Sequence, residues 1–395
     1  MATPWTANII LAPMSKGSNL PFRRLCASFG APATMSEMIF ASALARGSRR
    51  DLALMRRHAD EVQFGVQLLA AQPDTAVQAA LTAQEMGASW VDLNAGCPIR
   101  EALTKGCGAR LLERPHHLQA ILAAMCAKLD IPVTVKLRSG PKASRLNYLE
   151  TTQLAEEAGV SGIVIHGRDR EQRYTGCADW DVVRQTVQAR HIPVIGNGDI
   201  LTWYEAEDRL RQSGAFGIMV GRGALIKPWI FQELAEKRDL NPTPLERIEI
   251  YIRLASYMLE HFGDDERGLR TASGFLTWHL DFLCRYRPFP LEQYREQSRQ
   301  HPLIQTRADL PDAAEQPLDF VLAVQRQAIF AKTAQFLLDG AKEHRSVSQV
   351  AEQILALRDE AIELLKPRQT ATGHSESQDA ITNVSSNIQF GCTCN

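Results

Sequence analysis

Short apolar, β-branched runs bounded by turn residues recur eight times before residue 221: Ile9 to Ala12, Thr34 to Ser36, Phe64 to Leu69, Trp90 to Asn94, Pro132 to Leu137, Gly162 to His166, Pro193 to Asn197 and Gly217 to Val220. The segments between them carry apolar residues at three- and four-residue spacing. Asp74 to Gly87, Pro115 to Leu129, Tyr148 to Gly159 and Thr202 to Gly214 read as helices, three of them ending at or beside a glycine. Near-continuous apolar strands joined by helical crossovers predict a buried parallel sheet, and eight such units are what closes a (β/α)₈ TIM barrel. A doubly wound open sheet is the structural alternative.

The strand pattern stops after Pro228-Trp229. From there Pro244 to Phe262, Leu269 to Cys284, Leu318 to Gly340 and Ser346 to Leu365 carry helical periodicity. The expected organisation is an α/β barrel over residues 1–240 and a helical domain over 241–366. A Ser-, Thr-, Gln- and Asn-rich tail over 367–395 is expected to be disordered. The terminal Cys392-Thr393-Cys394-Asn395 has no aliphatic middle residues, so prenylation is not expected.

Composition narrows this further. With 45% hydrophobic and 23% charged residues among 395, the chain is an ordinary globular protein with enough apolar content for a large core. No apolar run approaches the roughly 20 residues of a membrane span. The start, Met1-Ala2-Thr3-Pro4-Trp5, has neither a basic region nor a small-residue cleavage site, so a cytoplasmic protein without membrane association is expected. The eight cysteines lack zinc-type pairing, which argues against a metal or a disulfide framework. A formal net charge of −1 means that any nucleic-acid partner must be met by a local patch.

Functional groups in a TIM barrel sit just past the C-terminal ends of its strands. Strand 1 ends in Ala12-Pro13-Met14, strand 2 in Ser36-Glu37-Met38, strand 3 at Gln67 and strand 4 in Asn94-Ala95-Gly96-Cys97-Pro98. Strand 5 carries Lys136 and Arg138, and strand 6 leads into His166-Gly167-Arg168. Strands 7 and 8 lead into Gly196-Asn197-Gly198-Asp199 and Gly221-Arg222-Gly223. Glycine-rich turns after the last two strands expose amides and suit a phosphate, with Arg222 as a charged donor, although each glycine alone could serve only a tight turn. Met14, Gln67, Lys136 and His166 could line a flat ring and its polar edge, as a flavin requires. Met14 and His166 would equally suit a core. Lys136 is different: inside the apolar strand Val133-Thr134-Val135-Lys136-Leu137 it is costly to bury unless a cofactor or a carboxylate meets it. Cys97 lies on a loop read as exposed at the rim, where a protonated thiol can act as general acid; Cys107 is its competitor.

Together these residues resemble the tRNA-dihydrouridine synthases. The resemblance runs from Ile10 to about Gly340, through Ala12-Pro13-Met14 with Leu20-Pro21-Phe22-Arg23, Ser36-Glu37-Met38, Val91-Asp92-Leu93-Asn94 into Gly96-Cys97-Pro98, and Val135-Lys136-Leu137-Arg138-Ser139-Gly140. It continues in His166-Gly167-Arg168, Gln172, Tyr174 and Gly176, then Ala178-Asp179-Trp180, Gly196-Asn197-Gly198-Asp199-Ile200 and Gly221-Arg222-Gly223-Ala224. It implies FMN held by Pro13, Met14, Gln67, Lys136, His166, Asn197, Gly198, Asp199, Gly221 and Arg222, reduced by NADPH. It also implies hydride delivery to C6 of a flipped-out uridine, with Cys97 protonating C5. Asn94 would position the base or the flavin, and Arg138, Arg168 and Gln172 would contact RNA. Phe275 to Tyr286 looks most like the eukaryotic-type branch that modifies the variable loop of tRNA, without that branch's N-terminal zinc-finger extension. Ser36 stands where the family commonly has Thr.

An RNA-facing patch is expected over 267–307, where seven arginines, Arg270, Arg285 and Arg287 among them, meet three acids and interleave with Trp278, Tyr286 and Tyr294. Each of these residues would equally fit a solvated helix face or the core. Arg49, Arg50, Lys142 and Arg145 could extend the patch across the barrel mouth. The expected protein is a monomer acting on tRNA. A flavin barrel reducing a free pyrimidine or a dihydroorotate-like molecule, and an RNA-binding folding factor, are the competing readings.

Overall fold

The computed structural model describes residues 4–306 and 309–366. Arg307 and the expected tail at 367–395, with Cys392 and Cys394, lie outside the described residues. Eight strands form the barrel: β1 Ile9–Leu11, β2 Ala33–Met35, β3 Gln63–Leu69, β4 Trp90–Ala95, β5 Val133–Arg138, β6 Gly162–His166, β7 Val194–Asn197 and β8 Gly217–Val220. Each pairs in parallel with its sequence neighbours, and β1 closes the ring on β8 through Ile9↔Ile218, Ile10↔Met219 and Leu11↔Val220. That closure excludes the open sheet. A two-residue strand, Ile39–Phe40, runs beside the end of β3 at Leu68 and Leu69.

The period-two geometry of a strand sorts side chains between the barrel interior and the surrounding helices. Trp5, Ile10, Ala12, Ala33, Met35, Trp90, Val164, Ile195 and Met219 form one buried cluster, separate from the large core under the helices. Gly65 makes this floor possible, because a Cβ there would run into the Trp90 indole. Two residues further along the same strands the interior turns polar: Gln67 on β3, Asp92 and Asn94 on β4, Thr134, Lys136 and Arg138 on β5, His166 on β6 and Asn197 on β7. The register sets them side by side, Gln67 opposite Asp92, Asn94 opposite Lys136, Arg138 opposite His166 and His166 opposite Asn197. The apolar floor and polar mouth are therefore consequences of one alternation.

The expected helices form at Pro73–Glu85, Pro115–Cys126, Tyr148–Glu157 and Trp203–Ser213, the last with a Thr202/Glu205 capping box and a left-handed Gly214 at its end. Beyond the barrel, Pro244–Phe262 and Glu266–Leu283 follow the expectation closely. The long run from Leu318 to Gly340 is two helices, Pro317–Ala323 and Gln327–Lys342, and Ser346 to Leu365 is likewise Val347–Leu355 and Arg358–Leu365. No glycine or proline marks the first break: Val324 leaves the helix extended and fully buried, so packing rather than local propensity makes the step. An unexpected helix, Leu291–Gln300, precedes a 3₁₀ turn at Leu303–Gln305.

The helical region is not a detachable appendage. The main hydrophobic core runs unbroken from Leu11 and Phe22 of the barrel into Leu254, Leu276 and Leu337. Polar ties reinforce it: Tyr204 Oη donates to the Phe289 carbonyl at 3.1 Å, and the Leu303 amide donates to the buried Glu205 carboxylate at 2.9 Å. No helix among the described residues is long and apolar enough to cross a membrane.

Candidate active site at the barrel mouth

Cys97 and Lys136 lie at the same end of the adjacent strands β4 and β5, each within electrostatic range of the other and of Arg138. Lys136 Nζ donates to Asn197 Oδ1 at 2.9 Å, and Asn197 Nδ2 donates in turn to the Met219 carbonyl at 2.7 Å. The carboxylate that the buried lysine demanded is Asp92, which draws the ammonium toward its charged form. Burial still wins: it brings the Lys136 ammonium down from 10.5 to about 8, with the Arg138 charge adding to the effect.

His166 is held neutral, its ring pushed well below its ordinary value by burial and then by Arg138, Lys136, Arg168 and Arg222. An Arg168 Nη1–H donates to His166 Nε2 at 3.4 Å, which leaves the imidazole proton on Nδ1. The mouth thus offers a neutral donor beside a charged one.

The turn after β7 is built for close approach. Gly198 sits at φ +130°, and a Cβ there would lie 2.5 Å from Ala178 Cβ and 3.0 Å from His166 Cδ2. The next residue, Asp199, adopts φ +51° and is a hub. Its carboxylate accepts from Arg168 Nη2 at 2.6 Å, Arg222 Nη2 at 2.9 Å, the Ala178 amide at 2.8 Å and Gln305 Nε2 at 3.2 Å. Asp199 was expected among the cofactor-binding residues; in the structure its carboxylate aims two guanidiniums. Arg222 keeps part of its surface open and lies 4.4 Å over the exposed Tyr174 ring. On the neighbouring strand end Met14 is half-buried beside Pro13, and its sulfur lies 3.6 Å from where a Cβ on Gly221 would be.

Cys97 is only 8% exposed, packed with Leu69, Ala102 and Cys107, so the exposed rim loop expected from sequence is in fact closed over. The physical reason is a tight turn: Asn94 Oδ1 accepts from the amides of Gly96 at 3.0 Å and Cys97 at 2.8 Å, folding the loop back onto β4. Burial pushes the Cys97 thiol up from its ordinary value, so it is protonated at neutral pH. Cys107 lies in the same cluster, its thiol pushed up to about 11 by burial.

Several expected RNA contacts are structural here. Arg168 is fully enclosed: besides Asp199 it donates to the carbonyls of Thr175 at 3.3 Å and Gly176 at 2.5 Å, and so fixes the loop after β6 instead of facing outward. Arg138, 4% exposed, donates to the carbonyls of Asp169 and Arg173 and braces the same loop. Gln172 is half-buried, its Oε1 accepting from the Asp169 amide. Arg287 donates to the Cys284, Tyr286 and Asp309 carbonyls, and Arg285 pairs with Asp281 at 3.0 Å. Arg295 and Arg299 tie their helix to Glu207 and Asp208 of the barrel. Tyr286 stacks edge-on against Trp229, Tyr294 against Phe289, and Trp278 covers Gly17 beside Met14. Arg270 remains strongly exposed and pairs with an exposed Glu266, and Arg49, Arg50, Lys142 and Arg145 are exposed. Sequence reasoning missed Asp92, Thr134 and Gln305. A carboxylate inside the strand Trp90–Ala95 was the available signal for the first; Gln305 left none.

A closed parallel barrel with a polar, positively biased mouth, a buried neutral thiol and a glycine-walled turn after β7 defines a ligand-binding barrel of the enzyme type. The sequence comparisons give the family. The family model described as "Dihydrouridine synthase (Dus)" matches residues 10–315, and the chain belongs to that family. A Homo sapiens protein described as "tRNA-dihydrouridine(47) synthase [NAD(P)(+)]-like" is 40% identical over 335 residues, covering 84% of this chain and 50% of that protein. One from Malassezia globosa, "tRNA-dihydrouridine(47) synthase [NAD(P)(+)]", is 38% identical over 311 residues, covering 73% and 41%. The chain spans about half the length of the curated relatives it matches. Among solved structures, histamine dehydrogenase from Rhizobium sp. 4-9 overlays with a TM-score of 0.47 at 10% identity, over 63% of this chain and 49% of that one.

Proposed function

We propose that this chain reduces the C5=C6 bond of uridine in tRNA to 5,6-dihydrouridine, with FMN reduced by NADPH and with Cys97 as the general acid. The observation that carries the reading is the protonated thiol of Cys97 at the same mouth as Lys136, Gln67 and His166, beside a turn that admits no side chain at Gly198.

The residues present fit FMN. Lys136 and the Nδ1–H of His166 are donors for the polar edge of a flavin ring, Met14 and Pro13 are an apolar wall, and Arg222 with Gly198 and Gly221 suits a phosphate. Bound flavin, once reduced, would supply the hydride. The chain's own part is to hold a proton on Cys97 Sγ and deliver it to C5, where addition at C6 leaves enolate character conjugated with the C4 carbonyl. A thiol kept neutral by burial can donate that proton and later recover one from solvent. Asn94 fixes the turn that carries the thiol, and its remaining Nδ2 hydrogen can meet the base.

For the RNA we assign the exposed cations Arg270, Arg49, Arg50, Lys142 and Arg145, with the exposed Tyr174 ring available for base stacking at the mouth. Arg138 and Arg168 shape the loop that carries Tyr174. A barrel of this kind acting in solution needs no membrane. Mapping dihydrouridine in tRNA from cells with and without the protein tests the reading: loss of the modified base at defined positions supports it, and an unchanged map overturns it.

A further inference from the structure

One buried hydrogen-bond chain runs from the barrel interior to the thiol-bearing turn. Thr134 Oγ1 donates to Asp92 Oδ1 at 2.6 Å, and Gln67 Nε2 donates to Asp92 Oδ2 at 2.8 Å. Asn94 Nδ2 donates to Gln67 Oε1 at 2.8 Å, and Asn94 Oδ1 accepts from the Gly96 and Cys97 amides. All four side chains are buried, at 5% exposure or less.

An amide can face either way, so nothing in Gln67 or Asn94 alone decides which end points where. The two ends do. The Asp92 carboxylate only accepts, so it takes the Nε2 end of Gln67 and turns Oε1 toward the Nδ2 end of Asn94; the Gly96 and Cys97 amides only donate, so they take Asn94 Oδ1, which demands the same sense. We infer that Asp92 is a positioning residue whose charged acceptor enforces, from the barrel interior, the sense of this chain that the turn requires, and thereby holds the Gly96-Cys97 turn closed. This deepens the proposed function, which assigns Cys97 its chemistry, but the hydrogen-bond logic stands without it.

In Asp92→Asn the charged acceptor becomes a neutral amide that can itself face either way, so the interior end no longer enforces the sense that the Gly96 and Cys97 amides require, and the chain loses its charge-assisted bond. In Asn94→Asp the turn keeps its acceptor, but the other carboxylate oxygen forces Gln67 to flip and present Oε1 to the Asp92 carboxylate. With both changes together every bond re-forms in the opposite sense: the residue-92 amide donates to Gln67 Oε1, Gln67 Nε2 donates to the residue-94 carboxylate, and that carboxylate still accepts from Gly96 and Cys97.

Hydrogen exchange of the peptide covering residues 94–99 in the full chain reads the turn directly, with no dependence on cofactor or activity. Each single variant is expected to exchange about tenfold faster at the Gly96 and Cys97 amides, the loss of roughly one buried hydrogen bond, and the double variant to return to within about threefold of wild type. Exchange unchanged in Asp92→Asn, or a double variant no better protected than the worse single, overturns the inference. If a single variant fails to fold, the double decides: a folded double supports the inference and an unfolded one overturns it. Failure of the uridine chemistry would leave these exchange rates untouched, so the two claims fall separately.

Discussion

Replacing Lys136 with methionine separates a functional lysine from a structural one. Its fall from 10.5 to about 8 corresponds to roughly 3 kcal/mol against carrying charge in the folded chain, at 1.36 kcal/mol for each tenfold change in proton affinity. Lys136→Met removes that penalty and keeps most of the volume. It also forfeits the bond to Asn197 Oδ1, about 1 kcal/mol, and leaves Asp92 without its nearest cation. The net expectation is a cofactor-free protein more stable by about 1–2 kcal/mol, a rise of a few degrees in Tm. FMN should bind about 10- to 100-fold more weakly, the loss of one charge-assisted bond. The pH dependence supplies an independent sign. A base whose folded value is depressed carries its full penalty below about pH 8 and loses it as pH rises toward 10.5, so the wild-type protein should gain stability across that window and Lys136→Met should not. Thermal melts of flavin-stripped protein over pH 7–10.5 and a fluorescence titration with FMN measure both. A variant less stable than wild type by 1 kcal/mol or more, with unchanged FMN affinity, would show that Lys136 is there to hold the barrel together.

Three further outcomes follow from the same geometry. Gly198→Ala places a Cβ 2.5 Å from Ala178 Cβ at φ +130°, and should destabilise the chain by about 1–3 kcal/mol and abolish FMN binding, checked by melts and titration. Asp199→Ala strips the enclosed Arg168 of its counter-charge and should cost about 3–5 kcal/mol in chemical denaturation, whereas a purely ligand-facing aspartate would cost little. Arg270→Glu, on an exposed face, should change stability by less than about 0.5 kcal/mol yet weaken tRNA binding and flatten its salt dependence; unchanged affinity in a filter-binding assay at low salt would remove Arg270 from the RNA surface.

The barrel was legible because buried strands are apolar on both faces and turn-bounded, so each of its eight members could be read to within a residue or two. Lys136 was legible for the opposite reason, as a charge where none is cheap. Asp92 obeys the same rule and was passed over, although its place directly across from Thr134 and beside Gln67 makes it the complement of that lysine. What the chain alone could not give was which arginines reach solvent. Arg168 and Arg270 are equally charged, and only the folded loop after β6 decides that one is walled in by Asp199 while the other stands on a helix face. The aromatics of 278–294 were ambiguous in the same way, since Trp229 and Phe289 settle the fate of Tyr286 and Tyr294 from distant parts of the sequence. Helix breaks at Val324 and Ala356 carry no glycine or proline and so left no mark.

In the proposed reaction a buried, protonated thiol at the barrel mouth completes the reduction of uridine in RNA. Unmodified tRNA incubated with the purified protein, FMN and NADPH should accumulate dihydrouridine with the wild-type chain and with Cys107→Ala, and at least about 100-fold more slowly with Cys97→Ala, while all three bind FMN alike. Dihydrouridine formed at the wild-type rate by Cys97→Ala, or by none of the three proteins, would contradict it.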